Sequence, residues 1–124
     1  MKTLGLFVIG LCIIINVQAQ VFKTVDISAG ELSSALTVTE KNTITNLTIR
    51  GTIDARDFTT MRDSMALISV VDMSNASILA YTGTLGTNGS SISTYPAHQI
   101  PVSAFNKNPD KTSLTTVYLP LTQA

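Results

Sequence analysis

The chain has 124 residues, and its 8 Lys and Arg balance its 8 Asp and Glu. This length predicts one domain with a small core, and the neutral charge gives no electrostatic reason to bind nucleic acid or an anionic membrane. The single cysteine, Cys12, lies in an apolar run near the N-terminus, which excludes disulfide chemistry for the residues beyond it.

Residues 1–19 have the order of a secretory signal peptide. One cation, Lys2, precedes an apolar run over residues 4–15, and small side chains follow at Val17 and Ala19, the two positions that signal peptidase reads. The run is shorter than the roughly 20 residues that a membrane-spanning helix needs. The sequence therefore predicts cleavage after Ala19 and a mature protein that is secreted or held at the cell surface, with no transmembrane helix.

Residues 20–42 are predicted to form an N-terminal cap made of a strand and a short helix. Alternating apolar residues favour a strand over 21–27. Ser28 and Glu31 have the spacing of a capping box, in which the Ser28 hydroxyl accepts from the Glu31 amide while the Glu31 carboxylate reaches back. The helix that follows would bury one face, formed by Leu32, Ala35 and Leu36.

A second strand and a longer helix are predicted next. Residues 43–51 alternate polar and apolar side chains, which favours a strand with Leu47 and Ile49 facing inward. Asp54 is placed to cap a helix over about residues 55–65. The apolar face of that helix, interpreted as core, consists of Phe58, Met61 and Met65.

The rest of the chain contains two more predicted strands, over residues 69–74 and 114–120. Between them, residues 82–94 are crowded with Gly, Ser, Thr and Asn, which predicts a flexible surface loop. An irregular segment bracketed by Pro96 and Pro101 follows. It is expected to supply three core contacts, from Ile100, Ala104 and Phe105.

An internal repeat is the most informative pattern in the sequence. Its frame is apolar-x-x-apolar-x-apolar, and it recurs after 24 residues and again after a further 46, close to two periods. The three copies are Ile44, Leu47 and Ile49, then Ile68, Val71 and Met73, then Leu114, Val117 and Leu119. A period in the low twenties with this frame is typical of leucine-rich repeats. We therefore expect an α/β fold: a short leucine-rich-repeat solenoid over residues 43–124, with a parallel strand ladder, short helices, long loops and an insertion at about 80–99.

Beyond its spacing, the chain resembles the N-terminal region of bacterial BspA-like leucine-rich-repeat surface proteins. The strings that carry this resemblance span residues 28–36, 51–58, 61–63, 81–84 and 95–105. The resemblance implies a solenoid cap with its entry repeats, in a secreted or surface-attached protein that binds host or partner proteins.

The last part of the chain matches one repeat unit of that family, through Ala104 and Phe105 and through residues 114–120. The sequence departs from the family by stopping at Ala124, where the next repeat is expected. The resemblance thus implies a truncated product or a fragment. Its exposed C-terminal strand would be a route to self-association.

Few residues of the sequence are of the types and spacings that catalysis or metal binding requires. His98 is the single histidine, in a loop flanked by prolines, and is interpreted as a solvated loop residue. Three aspartates lie close together in sequence, interleaved with arginines, and we interpret this group as helix capping and surface charge: Asp54, Arg56, Asp57, Arg62 and Asp63. No catalytic residue, metal site or cofactor is predicted, and an enzyme is not expected.

The alternation of the predicted strands places six residues on the exposed sheet face, which in solenoids is the usual binding surface: Thr48, Arg50, Val70, Asp72, Thr116 and Tyr118. Tyr118 is the best candidate for a binding hot spot by residue type. We expect a protein partner, such as a host or extracellular matrix protein. Two alternatives stay open: a carbohydrate-binding or surface-assembly module, and ordinary solvated strand residues with no ligand.

Overall fold

The computed structural model describes residues 19–106, 111 and 113–121. The expected signal peptide lies outside this range except for Ala19, so its cleavage stays a prediction. Within the described residues, no helix is long and apolar enough to cross a membrane.

Helices and strands alternate through most of the described chain. In order they are β1 (Phe22–Ile27), α1 (Leu32–Ala35), α2 (Val38–Thr43), β2 (Asn46–Ile53), α3 (Ala55–Ser64), β3 (Val70–Ile78), β4 (Tyr81–Gly83), β5 (Ser93–Tyr95) and β6 (Thr116–Tyr118). Four of the strands form a parallel sheet in the order β1-β2-β3-β6, and β4 pairs with β5 in an antiparallel hairpin. The expected α/β class and the parallel sheet with short helices are confirmed.

The repeat in the sequence corresponds to the register of this sheet. Leu47 of β2 is the register partner of Val71 of β3, which in turn is the partner of Val117 of β6. These are the same positions that the 24- and 46-residue spacings bring together in the sequence. Side chains at matched positions of parallel strands point to the same face, so Leu47, Val71 and Val117 all contribute to one inner face.

The core lies between the inner face of the sheet and α3. Phe58, Met61 and Met65 are fully buried, as predicted, and belong to the same apolar cluster as Leu47 and Val71. Ile49 and Met73 are also buried, which confirms the predicted strand parity. Burial of each such side chain contributes roughly 1.5–3 kcal/mol relative to exposure, enough to dominate the stability of a small domain.

Helix capping is only partly as predicted. Asp54 is the N-cap of α3, and its capping box is completed by Asp57. At Ser28 half of the predicted box exists: the Glu31 carboxylate accepts from the Ser28 amide, but the Glu31 amide donates to the Ser28 carbonyl and not to its hydroxyl. Helix α1 therefore begins at Leu32 without a side-chain cap. Its predicted buried face is also reduced, because Ala35 is exposed.

The flexible surface loop predicted over residues 82–94 is shorter than predicted, because both of its ends belong to strands. The β4-β5 hairpin closes it, and Tyr81 stacks on Tyr95 with ring centroids 6.1 Å apart. Arg56, at the start of α3, lies 4.8 Å from the centroid of the Tyr81 ring. The Thr59 hydroxyl donates to the Leu85 carbonyl at 3.3 Å and the Arg62 guanidinium donates to the Thr87 carbonyl at 2.7 Å, so α3 also contacts the segment between β4 and β5.

Two predicted core residues are instead exposed. Ile100 is 41% exposed, and Leu119, the last apolar position of the third repeat copy, is 48% exposed and lies just beyond the end of β6 at Tyr118. The other predicted contacts are confirmed: Ala104 is buried, and Phe105 packs edge-on against Phe58 with 5.8 Å between ring centroids.

Candidate binding surface on the sheet

The face of the sheet opposite the core, here called the outer face, is formed by residues in register across all four strands. One row consists of Thr24, Thr48, Asp72 and Tyr118, and the row beside it consists of Phe22, Asn46, Val70 and Thr116. Five of the six residues predicted for the binding face therefore lie in these two adjacent rows. The sixth, Arg50, lies in a third row.

A β-bulge separates Arg50 from the other predicted residues. Thr48 is the register partner of Asp72, but Arg50 is the partner of Asn75, so two residues of β3 oppose the single Ile49 of β2. On its other side Arg50 is the partner of Asp26 in β1. The guanidinium is exposed. Arg50 thus places a cation on the outer face between an acidic and an amide side chain.

Asp72 has a structural role that the sequence did not indicate. Its Oδ1 accepts from the Ser74 amide at 2.9 Å and from the Ser74 hydroxyl at 2.6 Å, at the bulged part of β3. The hydroxyl and then the amide lower the pKa of Asp72 below its usual value. Asp72 therefore stabilises the bulge and presents a fixed negative charge, half exposed, beside Thr48 and Tyr118.

Aromatic side chains lie at both edges of the outer face. Tyr118 on β6 is 54% exposed, and Phe22 on β1 is 69% exposed. The two edge strands are three strand spacings apart, roughly 14 Å. Phe22 was not among the predicted site residues. Side chains alternate between the two faces of β1, and Val25 and Ile27 are buried, so Phe22 points to the outer face. This alternation was the sequence signal that could have identified it.

The charged residues around α3 are structural. Asp54 pairs with Arg56 at 2.6 Å and Asp63 pairs with Arg62 at 2.8 Å. Asp57 accepts hydrogen bonds from three backbone amides. The capping interpretation is confirmed for Asp54 and Asp57, but Arg62, expected as surface charge, has a side chain only 10% exposed.

The other candidate ligand residues show no clustering. His98 is exposed, as expected, and its backbone amide donates to the Ile78 carbonyl. Within the part of the chain that the structure describes, no three His, Cys, Asp or Glu residues are grouped so that they could hold a metal ion. The outer face itself offers hydroxyl, carboxylate, guanidinium and aromatic groups, which suit hydrogen bonding and packing.

No protein-family model matches this chain, and no match was found among curated proteins. The resemblance to leucine-rich-repeat proteins therefore stays a prediction from the sequence pattern.

Proposed function

We propose that the protein is a non-catalytic, exported leucine-rich-repeat module that binds a partner protein at the bacterial cell surface through the outer face of its sheet. The observation that carries the proposal is the outer face itself. Its two rows are in register across four parallel strands, and an exposed aromatic residue lies at each edge. The 24- and 46-residue spacings that align these rows are the spacings of the repeat.

The composition of the outer face supports a protein ligand. Aromatic residues and arginine are the residue types that most often contribute strongly to protein interfaces, and the face offers Phe22, Tyr118 and Arg50. Asp26 and Asp72 add negative charge beside Arg50, so the face carries both signs of charge. A surface of this kind favours a partner with matching polar groups around an apolar contact.

The absence of catalysis is part of the proposal. Among the described residues, the charged groups around α3 each have a structural partner, as described above, and the Ser74 hydroxyl bonded to Asp72 stabilises the bulge of β3. Signal cleavage and surface location rest on the N-terminal sequence.

The test is direct binding with the full-length protein, measured against a panel of extracellular matrix proteins and a glycan array. We expect saturable binding to a matrix protein that Tyr118→Ala weakens about tenfold or more, because exposed tyrosines are among the residue types that contribute most to protein interfaces. Ile92→Ser is the matched control, since Ile92 is 77% exposed and lies in the segment between β4 and β5. Equal loss of binding in both variants would contradict the proposal.

A carbohydrate ligand is the second candidate. It is favoured by one arrangement on the outer face, in which Tyr118 lies in the same row as the Thr48 hydroxyl and the Asp72 carboxylate. A sugar ring stacks on an aromatic side chain while its hydroxyls bond to such groups. Binding on the glycan array alone, weakened by Tyr118→Ala, would select this candidate over a protein partner.

A further inference from the structure

The segment between β4 and β5 contains the only asparagine of the sequence that is followed directly by glycine. Asn88 and Gly89 are both exposed. Gly89 has a φ of 71°, in the left-handed region that glycine adopts without strain. No heavy atom beyond its chain neighbours lies within 4 Å of the place that a Cβ would take there. The backbone at Gly89 is therefore open to approach by the side chain that precedes it.

The nitrogen of Gly89 is free of hydrogen bonds, whereas Asn88 is held at two points. Among the described residues, no group accepts from the Gly89 amide. The backbone amide of Asn88 donates to the Tyr95 hydroxyl at 2.7 Å, and its Nδ2 donates to the Ser93 Oγ at 3.0 Å. The side-chain amide is thus tied to the hairpin directly beside an unbonded main-chain nitrogen.

We propose that Asn88 is a modification site, at which the protein deamidates spontaneously through a succinimide. The deprotonated Gly89 nitrogen attacks Cγ of Asn88 and forms a new N–C bond. The bond from Cγ to Nδ2 breaks, and the NH2 group leaves as ammonia with the proton that the Gly89 nitrogen lost.

Water then opens the succinimide by breaking one of the two N–C bonds of its ring. Cleavage at the side-chain carbonyl leaves aspartate at position 88. Cleavage at the main-chain carbonyl leaves isoaspartate, in which the main chain runs through the former side chain. The reaction consumes only water, releases ammonia and needs no oxidant, reductant or enzyme.

The exposed Asn75 provides a comparison within the same chain. It lies in β3, where it is the register partner of Arg50, and the residue after it, Ala76, is buried. The extended dihedral angles of a strand keep its Cγ away from the following nitrogen, and the methyl group of Ala76 crowds that approach. Asn75 should therefore stay unchanged under conditions in which Asn88 is converted.

Conversion changes the bonds of the hairpin. In the unmodified protein the Ser93 Oγ accepts from Nδ2 of Asn88 and donates to the Ser91 carbonyl at 3.4 Å. A carboxylate at position 88 has no proton to donate, so the Ser93 hydroxyl turns to donate to it and leaves the Ser91 carbonyl. Isoaspartate also adds a carbon atom to the main chain, next to the amide that Tyr95 holds. The segment between β4 and β5 therefore gains a negative charge and a new conformation with time.

The test is incubation of the folded full-length protein, followed by peptide mapping with mass spectrometry. The peptide that contains Asn88 should show the mass change of NH2 replaced by OH, with release of an equal amount of ammonia. Conversion should be faster at alkaline than at acidic pH, because the attacking nitrogen must be deprotonated. Hydroxylamine should cleave the chain between Asn88 and Gly89, as it does at a succinimide. Part of the product should accept a methyl group from an isoaspartyl methyltransferase.

Three variants assign the reaction to this pair of residues. Gly89→Ala should slow conversion about tenfold or more, because the added methyl group crowds the attacking nitrogen. Asn88→Gln should abolish it over the same time, since a glutamine must form a larger ring more slowly. Ile92→Ser changes an exposed side chain of the same segment and should be converted at the native rate.

Three results would overturn the proposal. An unchanged Asn88 in the folded protein, under conditions that convert a free peptide of residues 85–92, would show that the hairpin prevents the attack. Equal conversion of Asn75 and Asn88 would show that the open backbone at Gly89 does not select the site. Conversion of Gly89→Ala at the native rate would exclude the succinimide route. Tyr118→Ala, on the outer face, should be converted normally, so this proposal stands or fails separately from the proposed function.

Discussion

Asp57 connects three parts of the chain through one buried carboxylate. Its Oδ2 accepts from the Gly30 amide at 2.7 Å and from the Asp54 amide at 2.9 Å, and its Oδ1 accepts from the Leu32 amide at 3.0 Å. Burial raises the pKa of Asp57, although the three amides act in the opposite direction. The residue therefore holds the turn before α1 against the start of α3. A sequence pattern could assign its capping role but not its contacts 25 and 27 residues away.

Asp57→Asn is expected to lower the free energy of unfolding by about 2–3 kcal/mol. An asparagine has one acceptor oxygen, so its NH2 group would face a backbone donor in either orientation. Loss of the buried negative charge offsets part of this cost. Asp26→Asn makes the same chemical change at an exposed position and should change the stability by less than about 0.5 kcal/mol in denaturant titrations. Equal effects would contradict the role given to Asp57.

Glu40 predicts a pH dependence of stability. The hydrogen bond from Lys23, and then the Thr37 amide, lower the pKa of Glu40. Because the folded pKa lies below the unfolded pKa, the carboxylate contributes stability above the unfolded value, and that stability is lost as pH falls through the folded value. Glu40→Gln should therefore reduce the loss of stability below about pH 4.5. Lys23→Gln should reduce it similarly, and unchanged acid sensitivity in both variants would contradict this assignment.

Elements that depend on local pattern were predictable from the sequence. Helix α3 has its predicted cap and buried face. Both could be predicted because the capping aspartate and the apolar residues lie close together in the sequence. Helix α2 was missed because it buries no residue, although the capping box of Thr37 and Glu40 was a sequence signal for its start. The hairpin was missed because its contact joins Tyr81 to Tyr95 across a segment rich in turn residues. The bulge in β3 depends on pairing with β2, which no local pattern reports.

The parity of β2 can be tested with adjacent residues. Leu47 is buried and Thr48 is half buried on the outer face. Leu47→Ala should lower the free energy of unfolding by about 2–4 kcal/mol, as truncation of a buried leucine leaves a cavity. Thr48→Ala should change it by less than about 0.5 kcal/mol in the same denaturant titration. Similar losses in both variants would contradict the assigned faces.

At the scale of the whole molecule, the repeats place apolar residues on the inner face and a mixed polar and aromatic set on the outer face. Sequence periodicity predicted this division, and five of the six residues it predicted for the binding face lie in the two adjacent rows of the outer face. The sixth, Arg50, is displaced by the bulge, which depends on how β2 and β3 pair and could not be predicted from the sequence pattern.

Export of the molecule has its own test. The exported protein should begin at Gln20, because Val17 and Ala19 provide the small side chains that signal peptidase requires. Mass spectrometry of secreted protein would detect this N-terminus. Secreted material that begins at Met1 would show that no cleavage occurs.

Engineered disulfides test most directly whether the repeats stack in the assigned register. The only cysteine, Cys12, precedes the predicted cleavage site. The two engineered cysteines are therefore the only thiols in the cleaved protein. Register partners in neighbouring strands lie within the roughly 4.4–6.8 Å between Cα atoms that a disulfide spans. Asn46→Cys with Val70→Cys, and Val70→Cys with Thr116→Cys, should therefore crosslink on mild oxidation within one chain. Asn46→Cys with Asp72→Cys, out of register on the same face, should not. Crosslinking of the mismatched pair in preference to the matched pairs would contradict the stacked repeat and the outer face built on it.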